Sequence, residues 1–169
     1  MHSNGRQSVK PGDMLKIPYG ESAVYGQIVY CDAKGTPISR RRGLYLMVFD
    51  ADVSGFDSAS TLPSDLDLVL TSPVMLGPFH CTDELVKDFR WEVVGHRAFD
   101  KEIELPYFFD GTGIFDYFYR RVSDTPANRA KVVEEFVVPP EMVENAIRAK
   151  RNLSPWLPGY DYMLPRQRR

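Results

Sequence analysis

Apolar and polar side chains alternate with a period of two through much of the first half of this chain. In residues 13–17, Met14 and Lys16 point one way and Asp13, Leu15 and Ile17 the other, the signature of a short strand. Gly20, Glu21 and Ser22 form a hairpin turn candidate, and residues 23–31, rich in β-branched and aromatic side chains, read as its return strand. Gly26 inside that strand marks a bulge or a close approach of another group to the backbone. Residues 44–49 are almost wholly apolar, as expected of a strand covered on both faces. A polar, aspartate-rich loop is expected from residue 50 to about 67, followed over residues 68–78 by a strand broken by prolines. Farther on, Phe89, Trp91 and Val93 share one face while Arg90, Glu92 and Val94 share the other.

The second half is less regular. Residues 102–109 and 114–119 are extended and aromatic, and Asp110-Gly111-Thr112-Gly113 between them has turn chemistry, so a hairpin is predicted. Residues 131–138 fit either a strand or a helix, with the strand preferred. Residues 141–151 form the one clear helix: a proline precedes it, Glu141 and Glu144 sit in its first turns, and Met142, Val143, Ala146 and Ile147 make an apolar stripe. About seven short strands and a late helix predict a mainly β, α+β fold. The expected form is an antiparallel twisted sheet or a partly open small barrel with one C-terminal helix. Three regions are expected: a flexible arm over residues 1–9, a single β-rich domain over 10–151, and an extended basic tail over 152–169.

Composition adds little to this picture. Apolar residues make up 43% and charged residues 26%, which excludes wholesale disorder. No apolar run approaches the length of a membrane-spanning helix, and no secretory pattern opens the chain, so a cytoplasmic protein is expected without a membrane partner. Cys31 and Cys81 lack metal-ligand spacing and are expected to be reduced and buried.

Charge changes the picture more. The net charge is −2, but residues 50–116 hold four bases against 14 acids. Such a block repels nucleic acid and attracts a basic partner. Residues 147–169 hold six bases and one acid. The first of those bases suit a helix C-terminus.

Motifs of catalysis are sparse. The chain has no glycine-rich phosphate loop, no His-Glu-x-x-His, no Cys-x-x-Cys and no Gly-x-Ser-x-Gly. His80 adjoins Cys81 but points away from it on a strand, which leaves His96 as the other conceivable activator of that thiol. Asp50, Asp52, Ser54 and Gly55 match the first half of a calcium loop, yet Thr61 stands where the bidentate glutamate belongs, so no metal or cofactor is assigned. The cluster around Tyr107, Phe108 and Tyr117 lies beside aspartates, which suits a protein contact better than a base-stacking platform.

The stretch from Lys10 to Tyr19 (Lys-Pro-Gly-Asp-Met-Leu-Lys-Ile-Pro-Tyr) is followed in order by four further motifs. These are Tyr25-Gly26-Gln27-Ile28-Val29, the apolar strand ending Phe49-Asp50, Trp91-Glu92-Val93-Val94-Gly95, and Leu105-Pro106. Together they resemble the Immunity protein 26 family over about residues 10–110. The resemblance implies a β-rich bacterial protein that neutralises a cognate toxin and is not itself an enzyme. The family supplies no contact residues, so candidates come from charge and aromatic content. They are Asp50, Asp52, Asp57, Asp65, Asp67, Tyr107, Phe108, Asp110 and Tyr117, facing a toxin that is basic where it docks. A small adaptor or ligand-binding module for a housekeeping partner is the main alternative, and a metal-dependent hydrolase a weaker one.

Overall fold

The computed structural model describes residues 9–31, 43–53, 63–82, 91–98, 105–116, 120–133 and 137–165. Five strands of the main sheet are β1 (Asp13–Tyr19), β2 (Ser22–Cys31), β3 (Gly43–Asp52), β4 (Val74–Thr82) and β5 (Glu92–His96). The short strand β9 (Val137–Val138) completes it, giving the order β5-β1-β2-β3-β4-β9. All neighbours are antiparallel except β4 and β9. The fold is therefore mainly β, with an open, antiparallel-rich sheet and few helices.

Alternation along the strands produces two cores. Leu44, Leu46 and Val48 of β3 face one side with Leu15, Ile17, Val24, Ile28, Leu76 and Phe79, whereas Met47 and Phe49 face the other with Met14 and Tyr25. Helix α1 (Pro63–Val69) covers the second face with Leu66 and Val69. The first face is covered by Val143, Ala146, Ile147 and Ala149 of the C-terminal helix Pro140–Lys150. Burying one such Ile or Val side chain contributes about 1.5–3 kcal/mol. Trp91 is fully buried at the start of β5, and its indole N–H donates to Glu144 Oε1 on that helix at 2.9 Å, so its one polar atom is satisfied.

A second, three-stranded sheet contains β6 (Phe108–Phe109), β7 (Ile114–Phe115) and β8 (Arg121–Val122) in sequence order. Helix α2 (Pro126–Arg129) follows it, capped by Thr125, and the C-terminal helix is α3.

Several local features bear on the sequence reading. Gly20 at φ +81 opens the two-residue turn between β1 and β2, where a left-handed residue is required. Gly26 lies at a register shift, and a side chain there would meet Ile17 Cδ1 at 2.7 Å, so it serves both as irregularity and as close approach. The aspartate-rich stretch contains a helix that a loop reading misses, because α1 is too short to declare a period. The proline-interrupted strand begins only at Val74 and continues through a cis Gly77–Pro78 bond at a break in its register with β3. The chain after residue 152 departs from an extended tail: Pro158–Met163 is a 3-10 turn, with Tyr160 and Met163 buried in the core.

Candidate functional site

Asp50 and Asp52 are two apart on β3 and therefore share a side of the strand. Arg151, which ends α3, reaches both: Nη1 donates to Asp50 Oδ1 at 2.6 Å and Nη2 to Asp52 Oδ1 at 2.9 Å. Tyr19 at the end of β1 donates its hydroxyl to the same Asp52 oxygen at 2.8 Å. Burial works against the Arg151 charge, but the attraction of Asp52 and the bond to Asp50 outweigh it and raise its pKa. Tyr19 is also held above the ordinary phenol range, by burial first and then by its bond to Asp52. These two acids thus tie three elements together, and the single charge of Arg151 offsets one of their two negative charges. The Arg151 Nε is buried without a hydrogen-bond partner among the described residues, a cost within this latch.

Asp65 and Asp67 lie on α1, a different element. With Leu66 and Val69 turned inward, Leu68 is left 70% exposed between them and the helix end. Asp67 sits in the last turn, where the dipole disfavours an acid, and it pairs with Arg97 just after β5. A Cβ at Gly95 would fall 2.3 Å from Leu66 Cδ1, so the Leu66 side chain occupies the space that this glycine leaves on β5.

Of the aromatic candidates, Phe108 lies on β6 of the three-stranded sheet and Tyr107 directly precedes it. Tyr107 bridges to Val132, and Lys131 Nζ stands 5.4 Å from the centre of its ring. Phe108 is half-buried opposite Phe115, whereas Phe109 is 60% exposed. Asp110 shapes the turn: its Oδ1 accepts from the Thr112 N–H at 2.8 Å and from the Thr112 hydroxyl at 2.7 Å. Asp57 and Tyr117 lie outside the described residues.

Several residues of the motifs behind the family resemblance gather at the opposite end of β1. Gly12 at φ +94 lies where a side chain would strike the Arg97 carbonyl at 2.6 Å and the His96 ring at 2.7 Å. Asp13, almost wholly buried, accepts from the Lys10 N–H at 2.9 Å and lies 3.0 Å from His96 Nδ1. Gln27 donates to the Arg97 carbonyl at 2.9 Å. Gly12, Asp13, Gly26, Gln27, Trp91 and Gly95 therefore clasp β1, β2 and β5 and position α1 and α3; they build the fold.

Cys81 and His96 lie on β4 and β5, four strand spacings apart in the open sheet, or roughly 19 Å at about 4.8 Å each. That separation does not let His96 activate the thiol, and Cys81 is packed in the apolar core. Among the described residues no three His, Cys, Asp or Glu side chains group so as to hold a metal ion. Neither a family model, nor a curated protein, nor a solved structure matches this chain.

The structure thus brings Asp50 and Asp52 together, places Asp65 and Asp67 on another element, and puts Asp110 in a turn of the separate small sheet. The sequence reading missed Arg151 as the partner of the first pair, and Leu68 and Phe109 as the most exposed large apolar side chains among the described residues. The i, i+3 pair Leu66 and Val69 after Pro63 was the available signal that Leu68 would face outward.

Proposed function

We propose that this protein is an immunity-type inhibitor, which binds one cognate bacterial toxin and blocks it by occupying its surface. The observation that carries this reading is that Leu68 and Phe109, 70% and 60% exposed, each stand next to an aspartate in sequence, Asp67 and Asp110. An apolar anchor with an acidic rim suits a partner whose apolar pocket is edged by Lys or Arg. The order of the β1, β2 and β5 motifs supports the same reading through their resemblance to Immunity protein 26. The double-covered sheet supplies a rigid base, which lowers the ordering cost of binding. In this reading the acidic rim accelerates encounter and the apolar anchors slow dissociation.

Co-expression with the toxin encoded beside the gene tests the proposal. The wild-type chain is expected to restore growth, and Leu68→Ser with Phe109→Ser to lose protection while still folding. Protection that survives this double substitution contradicts the anchor assignment. No protection by the wild-type chain, with no complex on mixing, contradicts the immunity reading itself. Replacing Asp50 and Asp52 is a poor test, because it breaks the Arg151 latch.

A further inference from the structure

Helix α1 spans seven residues, and isolated helices of that length are unstable in water. Its order therefore comes from what it packs against. Leu66 fills the space that Gly95 leaves on β5, and Val69 is buried in the second core. Just beyond the helix, the Thr71 N–H and hydroxyl both donate to Leu68 O, at 3.0 and 2.7 Å, and the Ser72 N–H donates to Val69 O at 2.9 Å. These bonds satisfy carbonyls that a helix end leaves open.

Arg97 meets this helix from the sheet. Its N–H donates to Gly12 O at 2.9 Å, and its carbonyl accepts from the buried Gln27 Nε2 at 2.9 Å. Nη1 of its guanidinium donates to the His96 carbonyl at 2.8 Å, and Nε donates to Asp67 Oδ1 on α1. Arg97 is thus tied to β2, to the end of β5 and to the residue before β1. Its side chain is 26% exposed against 68% for Asp67, so one half of the ion pair is built into the sheet and the other belongs to the helix. The next residue after Asp67 is Leu68, the exposed side chain of α1.

We infer that Arg97 is a positioning residue: through Asp67 it holds α1 on the sheet and so presents Leu68 in one orientation. The use of that hold rests on the immunity reading, in which an anchor already in place is spared part of the ordering cost of binding. The hold itself is a property of the free chain. An ion pair this exposed adds little to a whole fold, but a seven-residue helix opens locally and feels it.

Amide hydrogen exchange of the free chain, followed by NMR, tests the hold without any toxin. Arg97→Met keeps both backbone bonds and removes the guanidinium. In the wild type, the Leu70, Thr71 and Ser72 amides are expected to exchange faster than those of β2 and β3. In Arg97→Met and in Asp67→Asn they should exchange about two- to fivefold faster still, with no further gain in the double variant. Amides there as slow as those of the core strands, or rates unchanged by both substitutions, overturn the proposal. Binding to the proposed toxin then separates positioning from a merely structural role. The loss of affinity caused by Leu68→Ser should be at least about twofold smaller in the Arg97→Met background than in the wild type. Equal losses in both backgrounds overturn the positioning role. A wild-type chain that binds no toxin strikes the immunity reading, and the exchange rates still decide whether Arg97 holds α1.

Discussion

The aspartates at the end of β3 and those on α1 come from the same acidic block, yet they play different parts. Asp50 and Asp52 converge on Arg151, almost exactly a hundred positions later in the chain, and on Tyr19. Asp65 and Asp67 lie on a seven-residue helix, where Asp67 pairs with Arg97 and directly precedes the exposed Leu68. The first pair closes the fold by sharing one cation across three elements. The second stands beside an apolar side chain that contributes nothing to the core. Acidity in a sequence therefore says little about acidity at a surface until the bases opposite each carboxylate are known.

Removing the base from the first pair should have the largest effect on stability. Arg151→Met leaves two neighbouring carboxylates without their shared cation and should lower unfolding free energy by about 1–3 kcal/mol, measured by urea denaturation. Adding Asp50→Asn and Asp52→Asn to that variant should recover part of the loss, because the groups left behind no longer repel. If Arg151→Met unfolds like the wild type, the latch is decorative and the contrast between the two pairs collapses.

Alkaline pH probes the same latch more gently. The phenol of Tyr19 is held neutral above its ordinary range by burial and by Asp52. Its contribution is therefore fully present below about pH 10, the unfolded value, and is lost as pH rises through the higher folded value. Urea midpoints measured on either side of pH 10 should fall with pH in the wild type and fall less in Tyr19→Phe. Parallel curves for the two proteins would show that Tyr19 is not coupled to folding.

The α1 pair should behave in the opposite way. Asp67→Asn breaks a largely exposed pair with Arg97 and should cost at most about 1 kcal/mol. Under the proposed immunity function it should instead slow association with the toxin, with a weaker salt dependence, in stopped-flow mixing. Smallest of all, Leu68→Ser should change stability by no more than about 0.5 kcal/mol, since the side chain is mostly in water. A large loss in that variant would place Leu68 in the fold and remove it from the surface argument.

Much of the fold was legible because its signals are local. The alternation in β1 and β3 sorts Met14 from Leu15 and Met47 from Leu46, and the stripe in α3 marks Val143, Ala146 and Ile147 as buried. Gly26 announced a close contact without naming Ile17. Helix α1 was hidden because seven residues hold only one repeat of its apolar spacing. The start of β4 was misplaced for a related reason: Leu68, Val69 and Leu70 look like a strand when the helix they end is not seen. The candidate site was less legible still. Pairing between Arg151 and Asp50 is a tertiary fact with no local trace, and exposure of Phe109 over Phe108 depends on which face of a two-residue strand meets the core.

Calorimetric titration of the proposed cognate toxin into the wild-type chain and into Leu68→Ser tests the central claim most directly. Tight one-to-one binding by the wild type, weakened at least about tenfold in the variant with its unfolding curve unchanged, is the predicted result. Equal affinity for both proteins, or no heat of binding with either, would contradict it.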